Sequence, residues 1–337
     1  MPDRRPRHRR ISRVWILLIA LLIPFVLAEC GPGERQVTIG LITKQETNPY
    51  WVTLREVAQR TADRNKITLV TAHGTSDVDV DSQRTALRQM IADRVDGILI
   101  APNDSSALVP DIRAARDAGI IVIAVDTPVS PLDAVDAYYA TDNTHAGELV
   151  GAYAAAKATE LGLDPQIAML NLAPGIASGA DRRAGFLTGF GITADAASLV
   201  ASVDTLGDRQ RGHDEMARLL AEHPGINVVY AVNEPVILGA LAAIAEAGKD
   251  TSQMVIVSVD GGCAAMREAV RPGQIDATAL QFPQNMARQG VLTIADAVRG
   301  GERPSGYLDT GTQLVSGSPV AGIESRGIEY GIRNCWG

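Results

Sequence analysis

From Val37 onward the chain alternates short runs of branched apolar residues with longer stretches in which apolar positions recur every three or four residues. The runs predict strands at Val37–Ile42, Ile67–Ala72, Gly97–Ile100, Ile120–Val125, Tyr138–Thr141, Gln166–Leu170, Val228–Ala231, Met254–Val259 and Ala277–Leu280. The stretches between them predict helices at 51–64, 82–92, 108–118, 144–161, 182–190, 209–221, 236–247, 263–270 and 284–298. Strands that are apolar throughout are buried on both faces, and their alternation with helices indicates parallel sheets clothed on each side. So many units exceed one small open sheet. The pattern therefore predicts an α/β protein of two doubly wound parallel-sheet lobes. No long linker, low-complexity segment or short repeat separates them, so several short crossovers should join the lobes as a hinge. The expected lobes are 37–141 with 282–310, and 142–281 with 311–337. Residues 316–337, rich in Gly and Ser, are expected to wrap a lobe surface.

The first 29 residues obey another grammar. Six arginines between Arg4 and Arg13 precede Val14–Ala28, fifteen residues without a charge. A membrane-spanning helix needs about 20 apolar residues, and this run is shorter and contains Pro24. A basic head, short apolar core and small-residue exit predict a signal peptide over 1–29, with the positive end held inside. Leu27-Ala28-Glu29-Cys30 resembles a bacterial lipobox, which implies lipidation of Cys30 and a linker over 30–36. Glu29 departs from that pattern, whose residue before the cysteine is small. The expected location is the periplasm or the outer face of the cell membrane, anchored through Cys30. Cys263 and Cys335 are then left to form one disulfide or to remain two separate thiols.

Composition narrows the function. The 337 residues are 46% hydrophobic and 21% charged, which excludes a disordered or disulfide-scaffold chain. The net charge is −8, and the basic head makes the remainder more acidic still. Such a body lacks the footprint needed to neutralise phosphates, so nucleic acid is excluded as a partner. The five histidines show no metal-ligand spacing, and no Gly-x-Ser-x-Gly elbow or phosphate loop occurs. No metal, cofactor or catalytic residue is expected.

Ligands of open parallel sheets bind beyond the carboxyl ends of the strands. The polar residues there are Asn48 in the loop after the first strand, Asp126 after the fourth, and Asn233, Asp260 and Gln281 after later ones. Arg182 opens a helix after the Gln166–Leu170 strand. These side chains have planar two-pronged ends that bond neighbouring hydroxyls together, and Tyr50 and Trp51 supply flat faces for the C–H side of a sugar ring. Together they suit a small, neutral, hydroxyl-rich molecule. Individually, each has a plainer role as a helix cap, a core aromatic or a solvated helix face.

The order of these pieces resembles the periplasmic ribose-binding proteins, the sugar receptors of ATP-driven bacterial importers. The likeness runs from about Val37 to Val315 through Asn48-Pro49-Tyr50-Trp51, Val122-Ile123-Ala124-Val125-Asp126 and Arg182-Arg183-Ala184-Gly185-Phe186. It continues through Ala231-Val232-Asn233-Glu234, Val259-Asp260-Gly261 and Ala279-Leu280-Gln281-Phe282-Pro283. The resemblance implies that Asn48, Asp126, Arg182, Asn233, Asp260 and Gln281 contact the ligand, with Tyr50 and Trp51 sandwiching it. Two departures alter which hydroxyls are read. Thr127 stands where ribose binders carry an arginine, and no aromatic lies near Leu206-Gly207.

The expectation is thus an extracytoplasmic substrate-binding protein, working as a monomer without chemistry of its own. It would close two lobes over a monosaccharide, inositol or sugar alcohol and deliver it to a membrane permease and its ATPase. A sensory receptor that hands the closed form to a membrane kinase or chemoreceptor would use the same lobes. A nicotinamide-dependent oxidoreductase lacks its glycine fingerprint here, and a sugar-responsive repressor would need a helix-turn-helix head where the export signal stands.

Overall fold

The computed structural model describes residues 36–337. The signal segment, Cys30 and the linker up to residue 35 lie outside them.

The chain begins β1 (Val37–Thr43), α1 (Pro49–Arg64), β2 (Ile67–His73), α2 (Val80–Ala92), β3 (Gly97–Ile100), α3 (Val109–Asp117), β4 (Ile121–Val125) and β5 (Ala137–Ala140). It continues α4 (Asn143–Glu160), β6 (Ile167–Asn171), α5 (Ala177–Phe190), β7 (Leu199–Asp204), α6 (Arg209–Glu222), β8 (Val228–Ala231) and α7 (Glu234–Glu246). Then come β9 (Val255–Asp260), the single turn α8 (Cys263–Ala265), β10 (Ala277–Gln281), α9 (Pro283–Val298), β11 (Gly306–Asp309), β12 (Thr312–Ser316) and α10 (Ile328–Asn334).

Two six-stranded sheets result. One has the order β11-β5-β4-β3-β1-β2 and is wholly parallel. The other is β12-β10-β9-β8-β6-β7, parallel except for β12, which runs against β10. The protein is therefore two α/β lobes. The strand order reverses beside β1 in the first sheet and beside β6 in the second, and each reversal opens a crevice at the strands' carboxyl ends. The chain passes between the sheets three times, at β5 to α4, β10 to α9 and β11 to β12.

Strands β3, β4, β8 and β9 are buried along their whole length, as continuous apolar runs require. The sequence pattern overlooks β7, β11, β12 and α10. Strand β7 is half-exposed, and β11 is exposed throughout at a sheet edge, so neither carries an apolar run. Helix α5 starts at Ala177, five residues before the predicted start, because its first turn Ala-Ser-Gly-Ala lacks an apolar stripe.

The starts of α1 and α7, which open at the cleft, are set by their caps. Asn48 accepts from the Tyr50 amide at 2.9 Å with Pro49 in the first turn, and Asn233 accepts from the Val236 amide at 3.1 Å with Pro235 in the first turn. Helices α4 and α5 approach so closely that a side chain at Gly147, Gly151, Gly185 or Gly189 would strike the backbone of the other helix. That contact fixes the height at which α5 presents Arg182.

Candidate functional site

On the first lobe, Asp126 follows directly on β4, and its backbone sits at φ +64°. Asp260, the last residue of β9 on the second lobe, sits at φ +112°. Side chains other than glycine rarely occupy that half of φ space, and such positions concentrate at functional sites. Here the unusual backbone turns both carboxylates toward the space between the lobes.

Asp126 is held from several directions. Its Oδ1 accepts from the Tyr50 hydroxyl at 2.8 Å and its Oδ2 from the Thr127 hydroxyl at 2.8 Å. Tyr138 donates to its carbonyl at 3.1 Å. Across the cleft, the Arg182 Nε donates to Asn143 Oδ1 at 2.7 Å, and Nη1 donates to Val232 O at 2.9 Å and Asp260 Oδ1 at 3.3 Å. Asp260 also accepts from Gln281 Nε2 at 2.6 Å and from the Glu234 amide at 3.1 Å.

The lobes meet in this structure. Thr127 and Ser178 hydroxyls are 2.9 Å apart, the Ser105 amide donates to Gly175 O at 2.9 Å, and the Ala177 amide donates to Ser105 Oγ at 3.2 Å. Between them lies a small, narrow polar space. Of the eight residues singled out in the sequence, Asn48, Tyr50, Trp51, Asp126, Arg182, Asn233 and Asp260 line it. Gln281 does not; it reaches the space through Asp260. Asn48 and Asn233 serve as helix caps as well as lining residues; capping engages their carbonyl oxygens, and the Asn233 Nδ2 also donates to Gly207 O at 3.4 Å. A larger groove, lined by Thr47, Pro49, Arg209 and Leu238 among others, opens to solvent at the cleft mouth.

Four further lining residues, Lys44, Asp77, Leu172 and Ser178, are not among those singled out in the sequence. Lys44 is 1% exposed, and its ammonium stands 5.6 Å from the centre of the Trp51 ring. Burial pulls its pKa down, against the attraction of Asp126 and Asp77. Burial pushes the Asp77 carboxyl up, opposed by the Lys44 charge, by Gln45 and, more weakly, by the nearby Trp51 indole. Asp260 is raised by burial to about 6 despite Arg182, and Glu234, buried beside Asp260, is raised to about 7. The lining thus carries two cationic and three acidic side chains, all buried. It suits a neutral ligand with many hydroxyls and opposes an anion.

Trp336 also escapes sequence reading. Cys263 and Cys335 are joined in a disulfide, and this holds the chain's end against the cleft. The Trp336 indole donates to Gln281 O at 3.0 Å and meets the Tyr50 ring edge-on at 5.1 Å, while Tyr50 meets Trp51 edge-on at 4.7 Å. Tyr50 is therefore fixed between two indoles, with its hydroxyl on Asp126.

Two open-sheet lobes whose switch points face each other over a polar cleft define a solute receptor that closes on its ligand. Residues 39–302 match the periplasmic binding protein domain family, and the chain belongs to it. It is 32% identical over 284 residues to the ribose import binding protein RbsB of Escherichia coli K12, covering 82% of this chain and 90% of that one. Among solved structures it is similar to a periplasmic solute binding protein of an ABC transporter from Actinobacillus succinogenes 130z with bound D-allose. That pair has a TM-score of 0.74 at 26% identity, over 83% of this chain and 98% of the other. It is also similar to an ABC transporter solute binding protein from Mycobacterium smegmatis with bound glycerol, with a TM-score of 0.73 at 29% identity, over 83% and 94% of the two chains. Members of this family are extracytoplasmic solute receptors, not enzymes.

Proposed function

We propose that this chain is the substrate-binding protein of an ABC importer for a small neutral sugar or polyol. The observation that carries this reading is the paired set of planar polar side chains, Asp126 with Asn48 on one lobe and Arg182 with Asn233 and Asp260 on the other, facing one cleft. Each lobe holds half of the recognition surface. A ligand that bonds both therefore binds the closed state better than the open one and shifts the population toward it. The lobes are residues 37–141 with 282–310 and residues 142–281 with 311–337, and the three crossovers act as the hinge. Gln281 orients Asp260, and Tyr50 and Trp51 cover the apolar side of the ring. The closed monomer docks on a permease and its ATPase. Cys30 anchors it to the outer face of the membrane through lipid; Cys30→Ala should release it to the soluble fraction, and retention would refute the anchor.

The test is a thermal-shift screen of residues 36–337 against D-ribose, D-allose, D-arabinose, D-fucose, myo-inositol and glycerol, checked by calorimetry. A ligand at 100 times its Kd stabilises by about 2.7 kcal/mol, which raises the melting temperature by several degrees. A compound that binds and is recovered unchanged supports the receptor reading. No shift with any of them refutes it.

A further inference from the structure

The loop between β2 and α2 places a carboxylate, Asp77, in the cleft. Its frame is rigid. Asn103 Nδ2 donates to Ser76 O at 3.0 Å and to Asp79 O at 2.8 Å, on either side of Asp77. The Asn103 amide in turn donates to Gln83 Oε1 at 2.8 Å, and Gln83 Nε2 donates to Thr43 O at 3.0 Å and Ala101 O at 2.8 Å. Asp79 closes the turn by accepting from the Thr75 and Ser82 amides at 2.9 and 3.1 Å. Asp77 is thereby held in the cleft, 5% exposed.

Asp77 Oδ1 is buried and accepts no hydrogen bond, and the Trp51 Nε1 is buried and donates none. Both residues line the same space. The indole stands close enough to the carboxyl to act on it, yet the two form no hydrogen bond of good geometry, and a single hydroxyl between them satisfies both, donating to the carboxylate and accepting from the indole. Across the cleft, Asp77 Oδ2 lies 2.8 Å from where a side chain at Gly207 would begin. Gly207 itself sits at φ +71°.

We propose that Asp77 is a specificity-determining residue of the cleft, which with Trp51 Nε1 binds one hydroxyl of the ligand on the Gly207 side. The inference rests on the sugar-receptor reading and sharpens it. The ligand presents a hydroxyl on the Gly207 side, and acidic sugars are rejected there.

The experiment is a cycle between protein and ligand on residues 36–337. The tightest binder among the six compounds of the screen is measured by calorimetry together with its monodeoxy analogues, against wild type, Asp77→Ala and Asp77→Asn. The expected result is a 10- to 100-fold weaker Kd for each variant with the parent compound. One deoxy analogue should bind wild type equally poorly, yet suffer no further loss in Asp77→Ala. A purely structural role would weaken every analogue by the same factor. That uniform loss overturns the assignment, as does unchanged affinity in both variants or wild-type binding of D-gluconate in preference to the neutral compounds. If wild type binds none of the six, the receptor reading itself fails, and this assignment with it.

Discussion

Arg182→Ala is the sharpest test of how the cleft holds a ligand. The protein's own hydrogen bonds engage Nε and Nη1, leaving Nη2 for the ligand. Removing the side chain deletes a charge-assisted hydrogen bond worth about 1.5–3 kcal/mol. It also strips Asp260 of its buried cation. Asp260 keeps Gln281 and the Glu234 amide, and its pKa, already about 6, moves higher, so the carboxyl neutralises instead of remaining as a bare buried charge. The second loss is thereby softened, and the net cost to binding is about 2–3 kcal/mol, or roughly 30- to 150-fold in Kd. Calorimetry at pH 7 with the best compound of the panel reads this directly, and the melting temperature without ligand checks that the fold survives. Arg182→Lys, which keeps the charge but loses the fork, should fall between wild type and alanine. A folded Arg182→Ala protein whose Kd changes less than about threefold would show that the guanidinium does not hold the ligand.

The same geometry has other consequences. Glu234 has a folded-state pKa of about 7 against 4.5 ordinarily, so its contribution to stability is full below about pH 4.5 and is lost as pH rises through about 7. Asp276, raised to about 6, acts in the same direction. The melting temperature should therefore fall between pH 5.5 and pH 8, and Glu234→Gln, neutral throughout, should flatten that slope in a pH series of melts. Cys335→Ser opens a link spanning 72 residues and should lower stability by about 2–4 kcal/mol, seen as a melting temperature several degrees lower. Gly151→Ala would drive a methyl into the Phe186 backbone, and parting α4 from α5 should cost about 1–3 kcal/mol in denaturant titrations and weaken ligand binding through Arg182.

Legibility of the chain tracks burial. Strands such as Ile121–Val125 and Val255–Asp260 are enclosed on both faces and announce themselves as unbroken apolar runs. Leu199–Asp204 and Gly306–Asp309 stand at or near sheet edges, where solvent relaxes the demand for apolar side chains, and no periodicity marks them. The site divides in the same way. Asp126, Asn233 and Asp260 could be found because sheet topology fixes where the carboxyl end of each strand points. Asp77 lies in Thr-Ser-Asp-Val-Asp-Val-Asp, which reads as a solvated turn, and its burial comes from Asn103 and from Gly207 on the other lobe. Such contacts span many residues and leave no local trace. Trp336 is hidden for a similar reason, since only the pairing of Cys335 with Cys263 brings the chain's end to Tyr50.

The threefold passage between sheets also governs the order in which this molecule can be built. The first sheet waits for α9 and β11, after residue 282, and the second cannot receive its edge strand β12 until residues 312–316 exist. Neither half is a contiguous stretch that could mature alone while the ribosome finishes the rest. Both depend on pairings between segments far apart in sequence, β11 with β5 and Trp336 with Tyr50, and contacts of that span form slowly. For a receptor of an extracytoplasmic family, late completion has a use: a chain that cannot close either sheet before residues 306–316 are made has no finished lobe to resist passage across a membrane.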